Sequence, residues 1–381
     1  MINRKLKTCV TLGSCCLLGA FNHAHADDAV IELGGYVKLD ALLSNYADGD
    51  PGAGTIGRDF YIPGTVPVGG ESESARTDFH MKETRLFIKG SRDIDGGDTI
   101  TSYVEFDLLT GSDGDERISN SYKPRVRHAF VKYNNWLAGQ TWTTFQNVSA
   151  LAENLDFVGP AEGTVFGRQA MVRYTSGNWQ FAAENPETTV TTAGGRVATD
   201  DGVMPDLVAR YNFSTGRADL VVAAIARQLR YEDTAANIDS NETSVGISFS
   251  GKVGVGDAND IRFMLTSGTG LGRYLGLNTA NGAYLNGDNE LEAIDSTAGF
   301  VSYRHFWNEK WRSNITLSGF SADQPVGYAG TETSQSFHLN LLYSPVAPIT
   351  TGVEFMTATR EVNSGAEGTL NRLQFSAKYA F

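Results

Sequence analysis

The sequence predicts an all-β fold, a transmembrane antiparallel β-barrel of about sixteen strands. Three observations predict it. Regular segments alternate apolar and polar residues with period two, and several runs approach the ~9 to 11 residues that a tilted strand needs to cross a bilayer. Short turns alternate along the chain with long loops. Once residues 1–26 are set aside, no window supplies the ~20 consecutive apolar residues of a membrane-spanning helix.

Residues 1–26 read as a secretory leader, with Arg4, Lys5 and Lys7 as its positive start, Val10 to Phe21 as its apolar stretch and Ala24-His25-Ala26 as its cleavage site. Leu12-Gly13-Ser14 before Cys15 offers a lipoprotein alternative, but cleavage there leaves too short an apolar stretch. Cys9, Cys15 and Cys16 all fall inside the leader, so the mature chain, 27–381, carries no disulfide, zinc-thiolate site or cysteine nucleophile. With 381 residues, 41% of them hydrophobic, the chain is too long and apolar for disorder or a disulfide mini-protein, and its 42 glycines exceed the usual ~7% in the way many strands joined by turns would. Removing three leader cations leaves 28 Lys+Arg against 44 Asp+Glu, a formal net charge of −16. Such a chain is no general nucleic-acid binder. The mature protein is therefore periplasmic, secreted or an outer-membrane barrel.

The first strand sets the pattern: Ile31, Leu33, Val37, Leu39 and Ala41 share one face, and Glu32, Tyr36, Lys38 and Asp40 the other. The same alternation recurs near 79–90, 99–109, 125–134, 136–142, 165–175, 178–184, 207–214, 217–229, 242–251, 259–268, 296–305, 312–321, 336–344, 350–359 and 371–381, giving sixteen strands, an even number. Arg92 to Gly97, Asn134-Asn135, Ser176-Gly177 and Ser214 to Gly216 read as short turns, and Ala47 to Asp78, Gly111 to Lys123, Pro186 to Pro205 and Thr269 to Asp295 as long loops. Aromatics at strand ends (Phe130 and Tyr133, Trp179 and Phe181, Tyr211 and Phe213, Phe337 and Tyr343) are expected to form interfacial girdles. The last strand alternates up to Phe381, which resembles the C-terminal signal that recruits the barrel assembly machinery.

Several segments resemble the DcaP-like porins: Gly35-Tyr36-Val37-Lys38-Leu39-Asp40, Arg127-His128-Ala129-Phe130-Val131-Lys132-Tyr133, Leu137 to Phe145 and Leu155 to Phe166, with weaker likeness through Tyr303 to Trp307 and Leu341 to Pro345. The resemblance implies a homotrimeric sixteen-stranded porin whose third loop folds into the lumen and which prefers anionic solutes such as dicarboxylates. The family prototype carries an N-terminal coiled coil, whereas here Ile31 follows the cleavage site almost at once, so that extension is expected to be absent.

If apolar side chains face lipid, the lumen receives Lys38, Arg85, Lys89, Arg125, Arg127, Arg173, Arg210, Arg227 and Arg262, opposed by Glu105, Asp107, Glu184 and Glu354. Guanidinium groups suit a carboxylate-selective pore, because their fork meets a carboxylate bidentately. An alternative makes these arginines a ladder with Glu105, Asp107, Glu162 and Glu184 that only braces the wall. The third loop, Thr143 to Thr164, carries Glu153, Asp156 and Glu162, expected opposite Arg85, Arg127 and Arg173 across the constriction. Acids crowd the other loops, which leaves a general porin with cation bias, or a barrel used as adhesin or phage receptor, as rival readings. Asp93 to Asp98 and Asp113 to Glu116 lack EF-hand spacing, the first reading as a solvated turn and the second as a weak candidate for a divalent ion bridging to lipopolysaccharide; no metal or cofactor is predicted. His80, His128, His305 and His338 accompany no nucleophile motif, His128 and His305 reading as interface residues, so an outer-membrane enzyme is disfavoured.

Overall fold

The computed structural model describes residues 29–94, 96–109 and 118–381. The expected leader, residues 1–26, and the Asp113 to Glu116 segment lie outside the described residues. Sixteen antiparallel staves form one sheet: Ala29–Tyr46 (β1), Arg76–His80 continued by Arg85–Ile94 (β2), Asp98–Asp107 (β3), Arg125–Tyr133 (β4), Trp136–Trp142 (β5), Arg168–Ser176 (β6), Trp179–Glu184 (β7) and Asp206–Thr215 (β8). Ala218–Asp233 (β9), Ile238–Val255 (β10), Asn259–Thr269 (β11), Asp295–Phe306 (β12), Trp311–Ala322 (β13), Thr331–Tyr343 (β14), Ile349–Val362 (β15) and Glu367–Ala380 (β16) complete it. β16 pairs with β1 from Tyr36↔Ala380 to Tyr46↔Leu370, which closes the barrel and leaves no free edge. No described helix is long and apolar enough to cross a membrane, and the crossing is made by strands.

The period-two pattern becomes two faces. Leu39, Leu86, Val172, Leu265, Val301, Leu317 and Phe375 are exposed on the outer wall, while Asp40, Asp107, Arg127, Thr316, His338, Glu354 and Arg372 are buried on the inner one. Gly35 illustrates how tightly β1 and β2 approach: a Cβ there would stand 2.1 Å from the Arg85 carbonyl oxygen, so a side chain cannot be accommodated. At the short-turn end, rings meet across the wall, Trp136 with Tyr174 and Trp179 with Tyr211 at 4.7 Å and Trp311 with Tyr343 at 4.4 Å. Phe381 sits on this rim, exposed and bonded to Gly35 through both backbone groups.

Two expectations shift. β9 with β10, and β15 with β16, run on beyond the predicted ends into hairpins closed at 234–237 and 363–366. Outside the lipid both faces of such a hairpin are wet, so period two fades from the sequence although the ladder continues. The expected loop from Pro186 to Pro205 contains a hairpin, Thr188–Thr192 with Gly195–Thr199, which joins Ala283–Leu285 and Leu291–Ala293 in a small four-stranded sheet over the barrel mouth.

The outward register predicts that Val301→Arg, on the wall, lowers unfolding free energy in lipid vesicles by about 2–4 kcal/mol, whereas Thr297→Arg, nearer the loop end, costs about 0–1 kcal/mol. Urea titration followed by tryptophan fluorescence checks both values.

Candidate functional site

The third loop, residues 143–167, lies inside the barrel and follows its inner wall. Inward-pointing side chains of staves spaced around the barrel donate to its backbone carbonyls: Arg173 Nη2 to Trp142 at 2.6 Å, where the loop begins, Arg210 Nη1 to Gln146 at 2.6 Å, Arg262 Nη1 to Leu151 at 2.6 Å, and Lys38 Nζ to Leu155 at 2.8 Å. Asn340 Nδ2 reaches the Glu153 carbonyl at 2.9 Å. The Glu354 carboxylate accepts from the Leu155 amide at 2.7 Å and lies 3.1 Å from His338. These partners belong to β6, β8, β11, β1, β14 and β15, so the loop circles much of the lumen before returning to β6.

Its acids are held from the same side. Glu153 pairs with Arg312 at 2.6 Å and Arg304 at 3.0 Å. Burial pushes the Glu153 carboxyl up, but the hydrogen bonds and charges of Arg312 and Arg304 outweigh burial and hold it below its usual range. Asp156 accepts from the backbone amides of Tyr61, Val158 and Gly159 and lies 3.7 Å from Arg372. Glu162 is fully buried, and desolvation outweighs the nearby Ser336 and Ser318 hydroxyls and His338, so its carboxyl is pushed above its usual range. The next residue explains how close the loop comes: a Cβ on Gly163 would stand 2.4 Å from the Gly299 carbonyl of β12. Neither Asp156 nor Glu162 therefore meets Arg173, which grips the loop's first turn. Arg85 alone of the three expected partners shares a cavity with Glu153 and Asp156, one of about 190 Å³ that also contains Lys38, Glu83 and Lys378.

Three further predicted arginines, Arg85 on β2 and Arg125 and Arg127 on β4, gather around the acids of β3. Arg125 binds Asp107 bidentately at 2.8 and 2.6 Å; Arg127 spans Glu105 at 2.7 Å and Asp107 at 3.0 Å; Arg85 lies 3.6 Å from Glu105. The predicted ladder thus exists at Glu105 and Asp107, but Glu162 and Glu184 pair with no arginine among the described residues. Lys89 pairs with Glu32 near the short-turn end, and Arg227 pairs with Asp206 and donates to Gly270 and Glu187 carbonyls, anchoring two outer loops.

Sequence reasoning missed Arg168. Its guanidinium stacks 4.5 Å from the Trp142 ring centroid, and no described carboxylate lies within ion-pair distance. Four guanidiniums (Arg85, Arg125, Arg127, Arg168) against two carboxylates (Glu105, Asp107) leave an excess of two positive charges. Alternation from Arg173 inward places even-numbered residues of β6 on the lipid side, so Arg168, at the strand's first position, gave no signal. His128 is a correction: a bulge in the β3–β4 ladder after Glu105 turns both Arg127 and His128 inward, where His128 bonds Thr141 at 3.0 Å. Phe130 likewise lines the lumen, in a cavity of about 470 Å³ with Arg85, Arg127, Trp142, Phe157 and Phe166.

The profile of the family described as DcaP outer membrane protein matches residues 25–381. Among solved structures, the outer membrane channel DcaP of Acinetobacter baumannii aligns with a TM-score of 0.77 at 24% identity, over 93% of this chain and 98% of that one. OmpT of Vibrio cholerae aligns at 0.55 and 12% identity, over 93% and 99%. The anion-selective porin from Comamonas acidovorans aligns at 0.55 and 11% identity, over 93% and 100%. At these identities the likeness is one of fold. No curated protein matches the chain.

Because the folded pKa of Glu153 is depressed, its contribution is present above the ordinary carboxylate pKa and is lost as pH falls through the lower folded value. Single-channel current is expected to be quiet at neutral pH and to begin to flicker only in acid below the ordinary carboxylate range. Glu153→Gln should flicker already at pH 7.

Proposed function

Because this chain belongs to the DcaP family and is a bacterial outer-membrane porin with the barrel fold of channels, we propose that it passes small organic anions, carboxylates foremost, by passive diffusion. The observation that carries this reading is the excess of two positive charges where Arg85, Arg125, Arg127 and Arg168 meet beside the third loop. Arg168 needs no acid to be shed before it meets a solute. Its planar fork takes a carboxylate bidentately and is charged at neutral pH. Trp142 and Phe166, which Arg168 stacks on, line a cavity with Phe157 and Arg127 and give an aromatic diacid such as phthalate a face to lie on, and succinate offers the same charges without that gain. No energy coupling is required, since each contact is weak enough to release.

The acidic loops support the second reading, a general porin with cation bias. Their exposed charges are screened within about 8 Å at physiological salt, whereas the arginine cluster acts where the lumen is narrowed by the loop, so the anionic reading is preferred. Lys38, Arg173, Arg210 and Arg262 serve in this scheme chiefly as the clamps that place the loop. The protein is taken to assemble as a homotrimer in lipid and lipopolysaccharide, since an OmpT of Vibrio cholerae with the same fold was solved in a trimer form, and Phe381, exposed at the seam, is taken as the mark read by the barrel assembly machinery.

Reversal potential across a tenfold salt gradient in a planar bilayer tests the reading. Wild type is expected to prefer chloride over potassium and to be blocked by phthalate, and Arg168→Gln to lower the anion-to-cation permeability ratio by roughly threefold or more. Cation preference with no block would overturn it.

A further inference from the structure

A third cavity, of about 880 Å³, opens at the loop end, away from the arginine cluster of β2 to β4. It lies between the hairpin Thr188–Thr192/Gly195–Thr199, residues 279–281, the loop 324–330 and the end of β15, with Gly64 at its floor. Two of its lining residues are charged, Arg196 and Arg360, and none is acidic. That absence stands out in a mature chain of formal charge −16 whose acids crowd the loops.

The two guanidiniums are fixed by neutral acceptors only. Arg196 donates Nε to the Asn281 side-chain oxygen at 2.6 Å and Nη2 to the Asn278 carbonyl at 2.9 Å. Arg360 donates Nε to Thr331 Oγ1 at 2.8 Å and Nη1 to the Val66 carbonyl at 2.8 Å. Neither forms an ion pair among the described residues, and Nη1 of Arg196 and Nη2 of Arg360 make no further hydrogen bond there. Each side chain is therefore oriented while its full charge remains uncompensated, and a fixed cation with free N–H donors in a polar recess attracts an anion strongly. Hydroxyl and amide groups of Thr191, Asn281 and Gln324 supply further polar contacts around them.

We propose that this recess is an outer capture site for organic dicarboxylates, in which Arg196 and Arg360 hold the solute at the mouth before it enters the barrel. The site rests on the anionic reading of the pore for its choice of solute, and it is spatially separate from the cluster around Arg168. Its role is to raise the entry rate from the loop side, since charges at a rim act mainly on association.

The test combines phthalate block of single channels, with the solute added from either side, and isothermal titration of phthalate into the purified full-length protein at low salt. Arg196→Gln/Arg360→Gln is expected to slow association from the loop side roughly three- to tenfold more than from the turn side, and to remove the heat of binding that Arg168→Gln retains. Arg196→Lys/Arg360→Lys, which keeps the charge, should restore most of the association rate. Block whose loop-side association is indifferent to the glutamine pair overturns the capture site and leaves the pore reading standing. Binding heat that depends on Arg196 and Arg360, in a channel that phthalate does not block, overturns the pore reading and leaves the capture site. Neither block nor heat overturns both.

Discussion

Everything specific about the lumen depends on one kind of interaction, a wall cation donating to a backbone carbonyl of the third loop. A barrel of sixteen staves encloses a space wider than side chains alone can fill, and a loop dropped into that space would bring unpaired carbonyls into a confined region where leaving them unpaired is costly. Arg173, Arg210, Arg262 and Lys38 remove that cost along the loop's path. They are long, always charged or firmly ion-paired, and set on staves whose register points them inward. The loop is consequently a belt fastened at intervals, and Glu153 fastens it once more through Arg304 and Arg312.

The same division of labour explains the apparent surplus of arginine. Some guanidiniums are committed to loop carbonyls, some to the Glu105–Asp107 pair, and Arg168 to an aromatic face. Paired charges in a confined site hold geometry, because removing one partner strands the other. The charge that acts on a passing solute is what remains after pairing. A simple count of lumen arginines overstates that remainder, and the net charge of the chain does not describe it either, because screened acids on the outer loops and cations in recesses do not act at the same place.

Much of this was legible in the chain. The alternation from Ile31 to Ala41, the short turns, the even number of strands and the closing run to Phe381 all follow from the requirement that a strand crossing lipid satisfy its backbone sideways and its two faces separately. Lys38, Arg85, Arg125 and Arg127 were found in the lumen by the same parity. The residues that escaped did so where parity fails: His128 behind a bulge, Arg168 at the junction of loop and strand, and the hairpin ends of β9 and β10 above the membrane, where both faces are wet.

The sequence by itself determined the barrel, its membrane, the inner and outer face of most staves and the inventory of charges, because period two is a local property and lipid imposes it strand by strand. Only the tertiary structure decided which arginine meets which partner. Arg173 and Arg127 are equivalent in any alternation pattern, yet one clasps the Trp142 carbonyl and the other bridges two carboxylates. That choice is set by where a loop of residues 143–167 comes to rest against staves up to some two hundred positions away, and long-range pairing of this kind leaves no periodic trace in the chain.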